Sequence, residues 1–201
     1  MKSLILKTKT LTLSVVFGMT ILMVGCSKDE MATETSLRQP SSVSLRSGAP
    51  APGDKAIAQI AIDAGFSELV AALSYVDEKL DAGLVNLFLN GTDQYTVFAP
   101  TNQAFQNLYS ALNVQKISDL PADLVLNVLL YHVAEGRRAS NSVVPKSGSR
   151  TISTLLTDAT FSVDNAGKIT AVGNSATITT ANISASNGII HVIDTVILPI
   201  K

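Results

Sequence analysis

Asn187-Gly188-Ile189-Ile190-His191-Val192-Ile193-Asp194-Thr195-Val196-Ile197-Leu198-Pro199 is the stretch whose reading decides the fold. Successive side chains of a strand leave opposite faces. Ile189, Ile193 and Ile197 then point one way, with His191, while Ile190, Val192, Val196 and Leu198 point the other. A strand apolar on both faces lies in the middle of a sheet and is covered on both sides. Asn187-Gly188 ahead of it is turn chemistry, and Pro199 ends it.

Working back from this strand, β-branched runs recur at 152–156, 160–163, 169–172 and 177–183. Asp164-Asn165-Ala166-Gly167, Gly173-Asn174-Ser175 and Ser186-Asn187-Gly188 separate them. Connections this short predict antiparallel neighbours, because a parallel pair needs a crossover. Before residue 137 the period is helical. Phe66, Leu69, Val70, Leu73 and Val76 form one stripe, Ile57, Ile60 and Ala61 a shorter one, and Leu84, Leu87 and Phe88 continue to Asn90-Gly91. Tyr95-Thr96-Val97-Phe98 is a short strand stopped by Pro100, and Thr101 or Asn102 caps a helix carrying Ala104, Phe105, Leu108 and Leu112. Ser118-Asp119-Leu120-Pro121 reads as a further helix start. The segment 122–133 is apolar almost all round, which predicts a central helix buried on every face. The class is α+β, with helices in the first half and antiparallel strands in the second.

The first 53 residues read differently. Lys2, Lys7 and Lys9 precede an uncharged, mostly apolar stretch from Leu11 to Val24, the layout of a secretory signal over residues 1–25. Leu22-Met23-Val24-Gly25-Cys26 resembles a lipobox, so Cys26 is the expected site of acylation and the domain is expected to hang from a membrane by lipid. Ser27-Lys28-Asp29-Glu30 fits either a signal for the outer leaflet of an outer membrane or a plain hydrophilic start. Both a surface-exposed and a periplasm-facing location therefore stay open. Residues 26–53, rich in Ser, Thr, Pro, Ala and Gly, form a tether with a mean reach of about 25–30 Å. The folded domain is expected over residues 54–201.

Composition narrows the function. A formal net charge of −1, 5 % aromatic residues and no Trp argue against nucleic acid as a partner. Cys26 is the only cysteine, so no disulfide closes within the chain.

Three segments carry a family resemblance. The run Tyr95-Thr96-Val97-Phe98-Ala99-Pro100-Thr101-Asn102-Gln103-Ala104-Phe105 resembles the first signature of fasciclin (FAS1) domains. Leu129-Leu130-Tyr131-His132-Val133 is similar to the central Tyr-His motif of that family, and Asn187 to Pro199 to its closing signature. In order and spacing they fit one domain. The resemblance implies a wedge-like β-sandwich dressed with helices, and non-catalytic adhesion to an extracellular protein or polysaccharide. Alternatives are a carbohydrate- or small-ligand-binding envelope module with its pocket beside the Tyr-His motif, and a structural spacer.

Chemistry-bearing residues are few. His132 and His191 are the only histidines, and nothing is spaced as a metal-ligand cluster or demands a cofactor. Each His is expected to be a core residue with a backbone or polar partner. His191 and Asp194, three apart on a strand, leave opposite faces and make no triad with Ser186, and no Gly-x-Ser-x-Gly elbow occurs. Asp194 is expected to accept backbone N–H groups from a buried position. Arg137, Arg138, Lys146 and Arg150, with no acidic residue between the first and last, make a candidate ligand surface or an ordinary solvated loop.

Overall fold

A computed structural model describes residues 50–200. The expected signal, Cys26 and most of the tether lie outside the described residues.

Helices come first: α1 (Ile57–Asp63), α2 (Ser67–Leu80) and α3 (Leu84–Asn90). The Asp77 carboxylate near the end of α2 accepts the Leu84 and Val85 N–H groups, each at 2.8 Å, and so satisfies the start of α3. Next follow β1 (Tyr95–Pro100), α4 (Asn102–Leu112), a 3₁₀ turn (Ile117–Asp119) and α5 (Ala122–Tyr131). Of the two candidate caps of α4, Thr101 fills the role, its hydroxyl accepting from Ala104 N–H at 3.2 Å. Asp119 caps the turn that precedes α5 rather than α5 itself, accepting from Gln115 and Lys116 N–H. After β2 (Val133–Glu135) and the short α6 (Ser140–Val143) come β3 (Ser149–Ser153), β4 (Thr160–Asp164), β5 (Lys168–Thr170), β6 (Ser175–Ala185) and β7 (Gly188–Ile193).

The strand order is β2-β1-β7-β6-β5-β4-β3. Every link from β3 to β7 is antiparallel, as the short turns predict. The β1–β7 pair is parallel, in register from Tyr95–Gly188 to Pro100–Ile193. Residues 101–187 separate the two strands, which is room for the crossover that short spacing could not supply. β6 joins the two halves of the sheet: its start pairs with β5, the rest with β7, and two register shifts bend it between Ile178 and Ile183. The halves face each other across a shared core of Phe98, Tyr131, Ile193, Ile152, Phe161 and Ile169. Leu155 N–H donates to Val133 O at 2.8 Å, so the two ends of the strand order nearly meet. This is the sandwich. The other face of β1 and β7 carries Val97, Ala99 and Ile190 into a second core beneath the helices.

Two expectations change. The last strand ends at Ile193, five residues early. Its neighbour β1 ends opposite it at Pro100, and after Thr101 N–H donates to Ile193 O at 3.1 Å the chain turns into α4. Val196 and Ile197 still bury themselves in opposite cores. α5 is not covered on every face either: Val125, Leu129 and Tyr131 are buried, while Leu124, Leu126, Val128 and Leu130 are only half-buried.

Candidate functional site

His132 closes α5, and both its ring nitrogens are engaged. Nδ1 lies 2.7 Å from Val128 O, a group that can only accept, so Nδ1 carries the proton. Nε2 then accepts the Ile197 N–H at 3.0 Å. Complete burial holds the pKa of this ring down to about 4, which keeps it neutral. His191, in the middle of β7, donates from Nε2 to Arg138 O at 2.9 Å and stacks at a tilt on Phe98, ring centres 5.5 Å apart. Its Nδ1 faces the Asn182 N–H at 3.4 Å, and burial lowers its pKa also. The two histidines share no partner, and each nitrogen is turned onto backbone. Among the described residues no three His, Cys, Asp or Glu side chains gather as a metal site.

Other motif residues also turn inward. The Tyr131 hydroxyl donates to Thr160 O at 2.7 Å from a fully buried ring. Thr96 Oγ1 donates to Gly136 O at 2.6 Å and accepts from Arg138 N–H at 2.8 Å. Asn102 Oδ1 accepts from Glu68 N–H at the start of α2 while its Nδ2 donates to Gly65 O. Phe98 and Phe105 fill the two cores. Asn187 is buried; its Oδ1 accepts from Ile57 N–H at 2.8 Å and its Nδ2 donates to Phe88 O at 3.1 Å. Its own φ is negative, so Asn is needed here for these bonds rather than for a left-handed turn. Gly188 is needed for close approach, since a Cβ there would stand 2.1 Å from Tyr95 O. Asp194 accepts from Thr177 N–H at 2.8 Å, as expected, but from an exposed position instead of a buried one. Pro199 is half-buried beyond the last strand.

The four basic residues do not form one free surface. Arg137 turns back into the protein. Its guanidinium donates to Ala185 O at 2.8 Å, to Gly188 O, to Ser184 Oγ at 2.5 Å, and to Pro50 O and Ala51 O at 3.2 Å each. Arg138 is half-buried with Nε on Glu135 O, and Arg150 bonds Ser142 O while remaining exposed. Lys146 is exposed.

A cleft opens between α4, α5 and the C-terminal segment. It encloses about 90 Å³, and its walls include Leu108, Leu112, Leu124, Val128, Leu198 and Ile200. His132 reaches its floor, and no polar surface faces the space.

The fasciclin domain profile matches residues 64–199. The chain belongs to the fasciclin family. It is 38 % identical over 150 residues to Protein sll1483 of Synechocystis sp., covering 73 % of this chain and 76 % of that one. It is 32 % identical over 143 residues to the Cell surface glycolipoprotein MPB83 of Mycobacterium bovis, 67 % of this chain and 56 % of the relative. Transforming growth factor-beta-induced protein ig-h3 of Sus scrofa is 34 % identical over 137 residues, 68 % of this chain but 18 % of the relative. The chain thus spans most of the first and only a part of the others. A FAS1 domain pair from the insect cell adhesion molecule Fasciclin I aligns with a TM-score of 0.45 at 18 % identity, over 66 % of this chain and 45 % of that one.

In this fasciclin domain the signatures tie helices to strands. Sequence reasoning missed two features. Arg137 looked like any loop cation, and nothing local announces that carbonyls 48 and 87 residues away converge on it. Asn182, the only non-glycine residue of β6 with positive φ (64°), bonds both the backbone N–H and the hydroxyl of Ser140. An Asn amid Thr, Ala and Ile was its one available signal.

Proposed function

We propose that this fasciclin domain is a non-catalytic binding module, held outside the cytoplasm by a lipid on Cys26, that adheres to an extended extracellular protein or polysaccharide. The observation that carries the reading is the engagement of both histidines with backbone partners in neutral form, which leaves the family signatures no free acid, base or nucleophilic pair. Recognition then falls to the outer surface, where Arg138 and Lys146 on either side of α6 and Arg150 in β3 present positive charge suited to an acidic polymer. A surface-facing anchor suits adhesion, and a periplasm-facing one suits a spacer.

The test compares cells carrying the full chain with cells carrying the Arg138→Ser, Lys146→Ser, Arg150→Ser triple variant on surfaces coated with acidic polysaccharide. Adhesion is expected to fall severalfold with thermal unfolding unchanged; equal adhesion would retire the basic surface. Palmitate labelling of the chain and of Cys26→Ser, followed by protease shaving of intact cells, tests the anchor and its leaflet. Absence of label from the wild-type chain would remove the anchor. The small-ligand alternative is favoured by one observation, the apolar cleft beside the Tyr-His motif.

A further inference from the structure

Between Thr180 and Ile183, β6 carries two residues, Ala181 and Asn182, where β7 has only His191. Asn182 sits there at φ 64°, in the left-handed region that an L side chain adopts only at a cost. Glycine would take up that backbone without strain, so the bend of the strand asks for no amide. The amide has another task. Its Oδ1 accepts the Ser140 N–H at 2.7 Å and its Nδ2 donates to Ser140 Oγ at 2.8 Å, which fastens β6 to the start of α6. α6 needs such a hold, because its four residues make a single turn, too short to persist unaided. Within it only Val143 is buried.

We infer that Asn182 is a positioning residue of the basic surface, acting through α6 on Arg150. The carbonyls of Asn141 and Ser142, both in α6, accept from the Arg150 guanidinium, the first at 3.4 Å. An amide on β6 therefore fixes a turn, and the turn fixes a cation on β3 that remains exposed. Arg138 is held by other means. Its N–H donates to Thr96 Oγ1, its carbonyl accepts from His191 Nε2, and its Nε donates to Glu135 O. The two guanidiniums are thus set in place by different elements before any partner arrives. A side chain already tied to backbone loses less freedom when a polymer binds, and affinity rises accordingly. The planar fork that stays open suits the sulfate or carboxylate groups of an acidic polysaccharide. The inference rests on the basic surface being the polymer-binding face.

The experiment measures binding of dextran sulfate to the full chain and to Asn182→Gly, which keeps the backbone conformation and deletes the amide. Affinity is expected to fall about fivefold, the effect of freeing one long side chain, while unfolding stays cooperative. A double-mutant cycle separates positioning from a general loss of structure. In an Arg150→Ser background, Asn182→Gly is expected to change affinity less than about twofold, because the cation it places is gone. In an Arg138→Ser background the loss of about fivefold is expected to persist. Val143 and Val144 N–H groups close the turn of α6 onto Ala139 O and Ser140 O, and their exchange is expected to rise in Asn182→Gly. Ser140→Ala removes one of the two bonds and is expected to give a smaller loss in the same pattern, so it replaces Asn182→Gly if that variant does not fold. Equal affinity of the wild type and Asn182→Gly overturns the inference. So does an undiminished loss in the Arg150→Ser background, or unchanged exchange in α6, either of which would mean that Asn182 does not act through Arg150. Dextran sulfate bound no better by the wild type than by the Arg138→Ser, Lys146→Ser, Arg150→Ser variant removes the basic surface itself, and the inference with it.

Discussion

The Nε2 of His132, at the end of α5, accepts the N–H of Ile197, four residues beyond the last strand, at 3.0 Å. Because Nδ1 already donates to Val128 O, this single ring links the central helix to the C-terminal segment only while it is neutral. A proton on Nε2 would turn the acceptor into a donor facing another donor.

That geometry fixes a pH dependence. The folded-state pKa of His132, about 4, lies below the ordinary 6.5, so between these values the unfolded chain binds the proton and the folded one does not. Stability is then full above pH 6.5 and falls as pH drops toward 4. The loss from this ring alone is about 2 kcal/mol at pH 5. Burial of His191 adds in the same direction. Urea unfolding at pH 7.5 and pH 5 measures the slope, and His132→Gln is expected to remove most of it; a variant slope equal to that of the wild type refutes the assignment.

Asn187→Ala deletes bonds to Ile57 N–H and Phe88 O, leaving buried groups of two helices without partners. A cost of about 2–4 kcal/mol is expected from two orphaned groups. Urea midpoints check this, and a loss below 1 kcal/mol would mean that water or a shifted neighbour satisfies them.

Gly188→Ala drives a methyl group into Tyr95 O at the start of the parallel β1–β7 pair, with Ile57 Cδ1 only 2.7 Å away on the other side. Failure to fold is expected. Gly136, at φ 79°, has open space where a Cβ would go, so Gly136→Ala is expected to cost only the left-handed strain, roughly 1 kcal/mol. Circular dichroism of the two variants separates close approach from backbone conformation.

Periodicity made the helices, the antiparallel strands and the two-sided burial of β7 legible, since each is a local pattern of side-chain faces. Pairings at long range were not legible. The parallel β1–β7 contact joins segments about ninety residues apart, and β7 ends where that neighbour leaves the sheet for α4. α5 misled for a related reason. An apolar helix states that its faces avoid water, but not whether protein or a cleft meets them. The signatures announced the histidines, whereas only the folded chain reveals that Arg137 is an internal brace while Arg138 stays partly open.

Arg137 supplies the last prediction. Its guanidinium binds Pro50 O and Ala51 O on one side and Ala185 O, Gly188 O and Ser184 Oγ on the other, so it fastens the end of the tether to the β6–β7 turn. The Ser184 hydroxyl donates to Ala51 O as well, and Gly53 N–H to Ala185 O at 3.3 Å. Among the described residues no acid pairs with the cation, and its Nε is buried without a partner, so the brace depends on neutral acceptors, four carbonyl oxygens and the Ser184 hydroxyl. Lysine keeps the charge but lacks the planar fork that reaches both sides at once. Both Arg137→Lys and Arg137→Gln are therefore expected to release residues 50–53, raising amide exchange at Gly53 and at the β6–β7 turn at least tenfold while α4 and α5 stay protected. Exchange at Gly53 unchanged in both variants would show that two backbone bonds, Gly53 N–H to Ala185 O and Ser186 N–H to Lys55 O at 2.8 Å, hold the segment unaided. Raised exchange with Gln but not with Lys would make charge, rather than the fork, the fastening element.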